Sequence, residues 1–236
     1  MAEEVAGFRR RFRITPTPNS VQAEVEDDFH CMSVLVSHDG EMATSVVADL
    51  RRAPWSTCPG AEQVLVDTFS NSALSSFREL GKKRENCTHL FDLALLAAEH
   101  AQDKEQTIFD IQVSDPVDDK RFAEIKKNGA ILLSWIESGF HVVEPEGAAG
   151  IRLDKLRTWI DTLDVELQEA ARLLQWGNIL ANGRTIPLEN QSDATKMPAN
   201  CYTFAPERAA VAKRIGEIRD FSSGKIQPLD EYETVV

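Results

Sequence analysis

Two dipeptides constrain this chain more than anything else in it. Asp39-Gly40 and Asn128-Gly129 are strong hairpin signals, because the favoured two-residue turns need positive φ and these residues tolerate it. Each lies between runs of alternating apolar and polar residues. From Asp28, the residues His30, Met32, Val34 and Val36 fall on one side of a strand, and Phe29, Cys31 and Leu35 fall on the other. A return strand is expected over 42–50. Around the second signal, 121–127 and 130–137 form the flanking strands. The alternating run 107–113 and the short run 140–143 extend them into a meander. The expected fold class is therefore α+β: an antiparallel sheet of hairpins and a meander, packed by helices.

Three helical patterns supply the packing. One begins at Pro59 and runs through Phe69, until the polar stretch 70–76 ends it. A second runs from Thr88 to about Gln102 with Leu90, Leu93, Ala94 and Ala97 on one stripe. The longest spans Leu153 to Leu174, with Leu156, Trp159, Ile160, Leu163, Leu167, Ala170 and Ala171 on its apolar face. A short helix is expected over 209–218. Residues 1–24, with Arg9 to Arg13 and two prolines, read as an extended arm over an acidic body or a hold for an anionic substrate tail. Residues 25–182 read as one α+β domain, divided into a two-cysteine core (25–105), the meander (106–150) and the long helix (151–182). Residues 183–236 read as a proline-punctuated arm with a mobile acidic tail from Asp230.

Charge narrows the partners. With 26 basic and 38 acidic residues, the net charge is −12, so there is no electrostatic footprint for a phosphate backbone and no nucleic-acid partner is expected. No apolar run approaches the roughly 18 residues that a membrane span requires. The opening Met-Ala-Glu-Glu-Val lacks the regions of a signal peptide, and the four cysteines are not spaced as a disulfide framework. The expectation is a cytoplasmic, reduced protein with a small-molecule substrate. A homo-oligomer is compatible with everything above.

The chemistry concentrates between Arg51 and Ala98. Cys58 precedes Pro59-Gly60-Ala61, and Cys87 precedes Thr88-His89-Leu90, so both thiols stand at expected helix starts. There, unpaired N–H groups and the macrodipole favour a thiolate. His89 and Asp92 are spaced to share a helical face. Asp28 and His30 share a face at the start of a strand and could reach the same place. Two thiolates and an imidazole suit a metal site with an open position, so Cys58, Cys87 and His89 are the candidate ligands of Zn or Fe. His89, Asp92, His30 and Asp28 are the candidate proton carriers. The alternative is that both cysteines are small apolar core residues.

The segments Glu26-Asp-Asp-Phe-His30, Arg52-Ala-Pro-Trp-Ser-Thr-Cys-Pro-Gly-Ala61 and Asn86-Cys-Thr-His-Leu-Phe-Asp-Leu-Ala94 resemble those of a bacterial family known only as a domain of unknown function. The resemblance covers about residues 10 to 185 and implies an association with catabolism of aromatic or steroid-like compounds. The order hairpin, Cys58, helix, Cys87, long helix is also similar to NifU/SufE-type iron–sulfur scaffold domains. Here Asn86 stands where those domains usually have a histidine, and their first cysteine has no counterpart. The resemblances imply a NifU/SufE-like core and a catabolic lyase, metal-assisted, acting by retro-aldol C–C cleavage or by elimination/hydration on a small aromatic intermediate. The alternatives are a non-catalytic sulfur or iron–sulfur carrier and a metal-free Cys/His enzyme.

Overall fold

The structure is a computed structural model that describes residues 6–232. Eight strands form an antiparallel sheet in the order β4-β3-β2-β1-β5-β6-β7-β8. They are β1 (Gly7–Thr17), β2 (Ser20–Asp27), β3 (Cys31–His38), β4 (Ala43–Arg52), β5 (Thr107–Ser114), β6 (Lys120–Lys127), β7 (Ala130–Ser138) and β8 (His141–Glu144). The helices are α1 (Ala61–Phe69), α2 (Thr88–Glu99), α3 (Arg157–Ile160), α4 (Val165–Ala181) and α5 (Pro206–Ala209), with several 3-10 turns between them. The chain clusters into two compact units whose boundary within β1 falls between Arg11 and Phe12.

One unit contains 108–187 and 220–230 together with the start of β1. Asn128 and Gly129 take φ of 49° and 84°, the left-handed pair that a tight hairpin needs, and join β6 to β7 as expected. Trp135 is buried and donates from Nε1 to Asn178 Oδ1 at 2.6 Å, so the apolar ring is buried without stranding its N–H. Helix α4 approaches closely at Gly177, where a Cβ would meet Ile111 Cγ2 at 2.8 Å. The expected single helix 153–174 is instead a 3-10 turn (Leu153–Lys155), α3 and α4. Thr162 Oγ1 donates to Trp159 O at 2.7 Å, and Asp164 is extended (ψ 151°) before α4 begins. Local side-chain bonding thus competes with a continuous helix.

The other unit contains 12–107, 188–219 and the end of the described chain. Of the stretch expected as an N-terminal arm, residues 1–5 lie outside the described residues, and from Gly7 on it is in fact β1 and the first part of β2. Val21, Ala23 and Val25 are buried on one face of β2. Gln22, Glu24 and Glu26 on the other are also buried, and arginines pair with the two glutamates. Glu24 receives Arg13 and Arg51, and Glu26 receives Arg52 and Arg219. Charges removed from water in this way hold only when they are paired and hydrogen-bonded. The tail from Asp230 is fastened through Tyr232: Asp230 pairs with Arg11 within the first unit, while in the second Glu231 pairs with Arg219 and Arg13 donates to Tyr232 O.

Helix α2 packs its buried stripe Leu90, Leu93, Ala94 and Ala97 against β2 and β3. Phe69 of α1 meets Phe77 and Phe91 at ring-centroid distances of 4.4 and 5.0 Å. The Asp39-Gly40 hairpin forms between β3 and β4, but its loop runs through Met42. Asp39 Oδ1 accepts from the N–H groups of Glu41 and Met42 and so closes the turn through a side chain. The expected helix 209–218 is corrected. After α5, residues 213–216 are extended and bond to 54–56, with Ser56 N donating to Lys213 O at 2.9 Å and Ile215 N to Pro54 O at 3.1 Å. No helix among the described residues is long and apolar enough to cross a membrane.

Candidate functional site

The site is built where the β2–β3 turn meets the start of α2, within one unit. In the turn, Asp27 N donates to His30 O at 2.9 Å. Asp27 Oδ1 accepts from the backbone of Phe29 (2.8 Å) and His30 (2.9 Å) and lies 3.0 Å from His30 Nδ1. Asp27 is fully buried and His30 is 6% exposed. A buried carboxylate on Nδ1 directs that nitrogen to carry its proton, which leaves Nε2 as the basic nitrogen. His89, on the first turn of α2, stacks on His30 with ring centroids 4.0 Å apart and planes at 29°.

Arg52 fixes the turn from the β4 side. Its Nη2 donates to Glu26 Oε1 (2.9 Å), Asp27 O (2.8 Å) and His30 O (3.3 Å), and its Nη1 donates to Asp28 O (2.7 Å). One planar guanidinium therefore spans the whole turn, which a point-charged lysine could not do.

The thiols lie on the other side of the α2 start. Cys87 is the N-cap residue of α2, and its side chain makes no cap hydrogen bond. The N–H groups of His89 and Leu90 favour its thiolate as dipoles, but burial dominates and pushes the thiol up to about 12. Cys58 opens the 3-10 turn Cys58–Gly60, and its Sγ accepts from Thr203 Oγ1 at 3.3 Å. Burial raises Cys58 and also Cys201, the residue that precedes the short turn Tyr202–Phe204. Charge on Cys58 or Cys201 would raise Cys87 further, so the three thiols share one electrostatic neighbourhood. Cys31, inside β3, is pushed up to about 11 by burial and then by Glu26, with Tyr232 as its hydrogen-bond partner.

The residues singled out from sequence are thus distributed unevenly. His30 and His89 come together, and Cys58 and Cys87 influence one another. Asp28 is fully buried in the same turn, but Asp27 holds the imidazole. Asp92 is bound by Lys83 Nζ at 2.6 and 2.8 Å. The expected low-pKa thiols are corrected, because desolvation outweighs the helix dipole at both positions. Among the described residues, no group of three or more His, Cys, Asp and Glu side chains is arranged to hold a metal ion. The sequence reading missed Asp27, Cys201 and Arg214. Only Asp27 had a local signal: a carboxylate three residues before a histidine at a turn, the Asx-turn pattern. No protein-family model matches the chain, and no curated protein matches it.

Proposed function

We propose that the protein is an acid–base enzyme, a lyase that removes a proton from a small intermediate at the His30–His89 pair. The observation that carries this reading is the 3.0 Å contact of Asp27 Oδ1 with His30 Nδ1 beneath a stacked His89. His30 Nε2 takes the proton, and Asp27 stabilises the imidazolium that results. Proton removal next to a carbonyl, or from a hydroxyl, serves elimination, hydration and retro-aldol cleavage alike, on an aromatic or related catabolic intermediate. The test is deuterium wash-in from D₂O, or cleavage, read by NMR across a panel of small hydroxy- and keto-acids. Exchange that needs the protein and disappears in His30→Ala supports the reading. Exchange that persists unchanged in that variant sinks it.

The neighbouring thiols favour a second reading, in which Cys58 and Cys87 with His89 bind Zn or Fe, or carry sulfur in the manner of a NifU/SufE-like scaffold. Three cysteines in one electrostatic neighbourhood support it. The donors are buried and are not set out as a ligand group in the present geometry, so no step is derived through a metal. Metal analysis of protein prepared without added metal separates the two readings. One equivalent of zinc or iron that is lost in Cys58→Ser and Cys87→Ser favours the second.

A further inference from the structure

We propose that Arg214 is the anion anchor of this site and holds the carboxylate of a small, apolar-bodied acid beside Cys58. The proposal names the substrate class of the acid–base reading and rests on that reading for its purpose, while its test needs no turnover.

The other arginines of this unit that gather at buried acids are spoken for: Arg13, Arg51, Arg52 and Arg219 each bind a carboxylate. Arg214 is half-buried and differs. Its Nε is buried and makes no hydrogen bond, and among the described residues no carboxylate or carbonyl accepts from its guanidinium. Its charge lies over the Trp55 ring, 5.5 Å from the centroid. A stacked ring offsets part of the lost hydration, but a buried donor left unmade is a costly state that native structures rarely keep without a reason. The placement is enforced rather than incidental. The backbone of 213–216 is bonded to 54–56, and it approaches so closely that a Cβ on Gly216 would meet Ala53 O at 2.7 Å.

The surroundings describe what the cation waits for. Trp55 packs edge-on to Phe204 at 5.9 Å, and with Cys58, Ala194 and Ala209 it forms one buried apolar cluster, flanked by the partly buried Phe204 and Ala212. Thr57 Oγ1 donates to Thr203 Oγ1 at 3.3 Å, and Thr203 donates to Cys58 Sγ, so a chain of two hydroxyls leads to the thiol. Arg214 and the Cys58 thiol act on one another electrostatically. A guanidinium fork matches a carboxylate in shape, and one cation balances a monoanion. Arg208, earlier in the same segment, is stacked on Tyr202 at 3.9 Å and bonded to its carbonyl, so its guanidinium is already engaged. The partly exposed Phe204 and Ala212 at the edge of that cluster then suit an aromatic or short aliphatic body.

The experiment is an NMR titration of the full chain, following the side-chain ¹⁵Nε–H resonance of Arg214. The resonance is assigned by its loss in Arg214→Lys, and the probe is benzoate at constant ionic strength. The expected result is a saturable shift with benzoate and none with benzamide. Arg214→Met should then bind benzoate at least tenfold more weakly, followed on the indole ¹⁵N–H resonance of Trp55, over which Arg214 lies. If that variant fails to fold, Arg214→Lys replaces it, because a lysine keeps the charge but not the fork and weakens binding in the same direction. A resonance that benzoate leaves unmoved, a shift that sodium chloride reproduces at equal ionic strength, or tighter binding of inorganic phosphate overturns the proposal. Benzoate bound at Arg214 in a chain that exchanges no substrate proton would uphold this site and sink the acid–base reading alone.

Discussion

His30 and His89 lie ring on ring, with centroids 4.0 Å apart, one brought by a β-turn and the other by the first turn of a helix. Neither residue would be there without the packing of α2 on β2 and β3. If the pair is the proton carrier, His30→Ala lowers kcat by about 10²–10⁴. His89→Ala lowers it as well, while circular dichroism stays native. Steady-state kinetics on the substrate found by the exchange screen decide the matter. Full activity in both variants would remove the pair from the chemistry.

Asp27 and Asp92 make a clean contrast between two carboxylates. Asp27→Asn keeps the shape of the turn but removes the charge that supports an imidazolium, so activity falls by about 10²–10⁴. Asp92 is partly exposed and tied only to Lys83. Asp92→Asn therefore costs under about 1 kcal/mol in stability and leaves turnover unchanged. Equal losses in the two variants would contradict the geometry.

Arg52 is a positioning residue. Its removal takes from Glu26 its 2.9 Å partner, leaving it the longer contact to Arg219, and unties the turn carbonyls of Asp27, Asp28 and His30. Arg52→Ala costs about 3–5 kcal/mol, read as a drop in the urea midpoint. Arg52→Lys recovers part of the stability but not the pH–rate profile, since one ammonium cannot span the turn. A lysine variant with the wild-type profile would reduce Arg52 to a purely structural part.

The thiols give a pH dependence with a definite sign. Cys87 and Cys31 are raised from 9.0 to about 12 and about 11, so the folded chain holds protons that the unfolded chain releases. Below pH 9 this difference is absent. Between pH 9 and about 11, stability falls as pH rises, by about 1.4 kcal/mol per pH unit for each such group. Denaturation followed at pH 8, 9.5 and 10.5 checks it, and Cys31→Ala with Cys87→Ala should flatten the slope. For the same reason iodoacetamide labels these two thiols slowly at pH 8.

In the other unit the sharpest test is Trp135. Trp135→Phe keeps the ring but leaves Asn178 without its donor, costing about 1–3 kcal/mol. Trp135→Phe combined with Asn178→Leu should recover part of this, because both polar groups are then gone. Non-additivity in thermal melts is the measurement.

Much of the sheet was legible because its signals are local. Asn128-Gly129 needs only its own φ angles, and the alternation of 31–38 needs only a period of two. The α2 stripe was legible for the same reason. What failed was non-local. Residues 1–24 read as an arm because Arg9 to Arg13 and Glu24 look solvated when taken one at a time, as does Glu26 just beyond them. Only the pairing of Arg13, Arg51, Arg52 and Arg219 with those acids makes β2 a covered strand. The thiols failed similarly. The helix start at Cys87 was placed correctly, but the burial that overrides the dipole comes from distant segments. His30 and His89 were both named from sequence, and Asp27 was missed by one position, a matter of which residue in the turn faces the ring.

Cys201, Thr203 and Arg214 all come from the stretch after residue 187, beyond the last long helix of the chain. That stretch is poor in regular structure, yet it supplies the hydroxyl on Cys58 and the cation over Trp55. Cutting the chain back to its well-patterned portion would therefore keep the histidines and discard the hydroxyl on Cys58 and the cation proposed above as an anchor. On that proposal, selectivity is the property most easily lost to trimming and most readily rewritten by substitution.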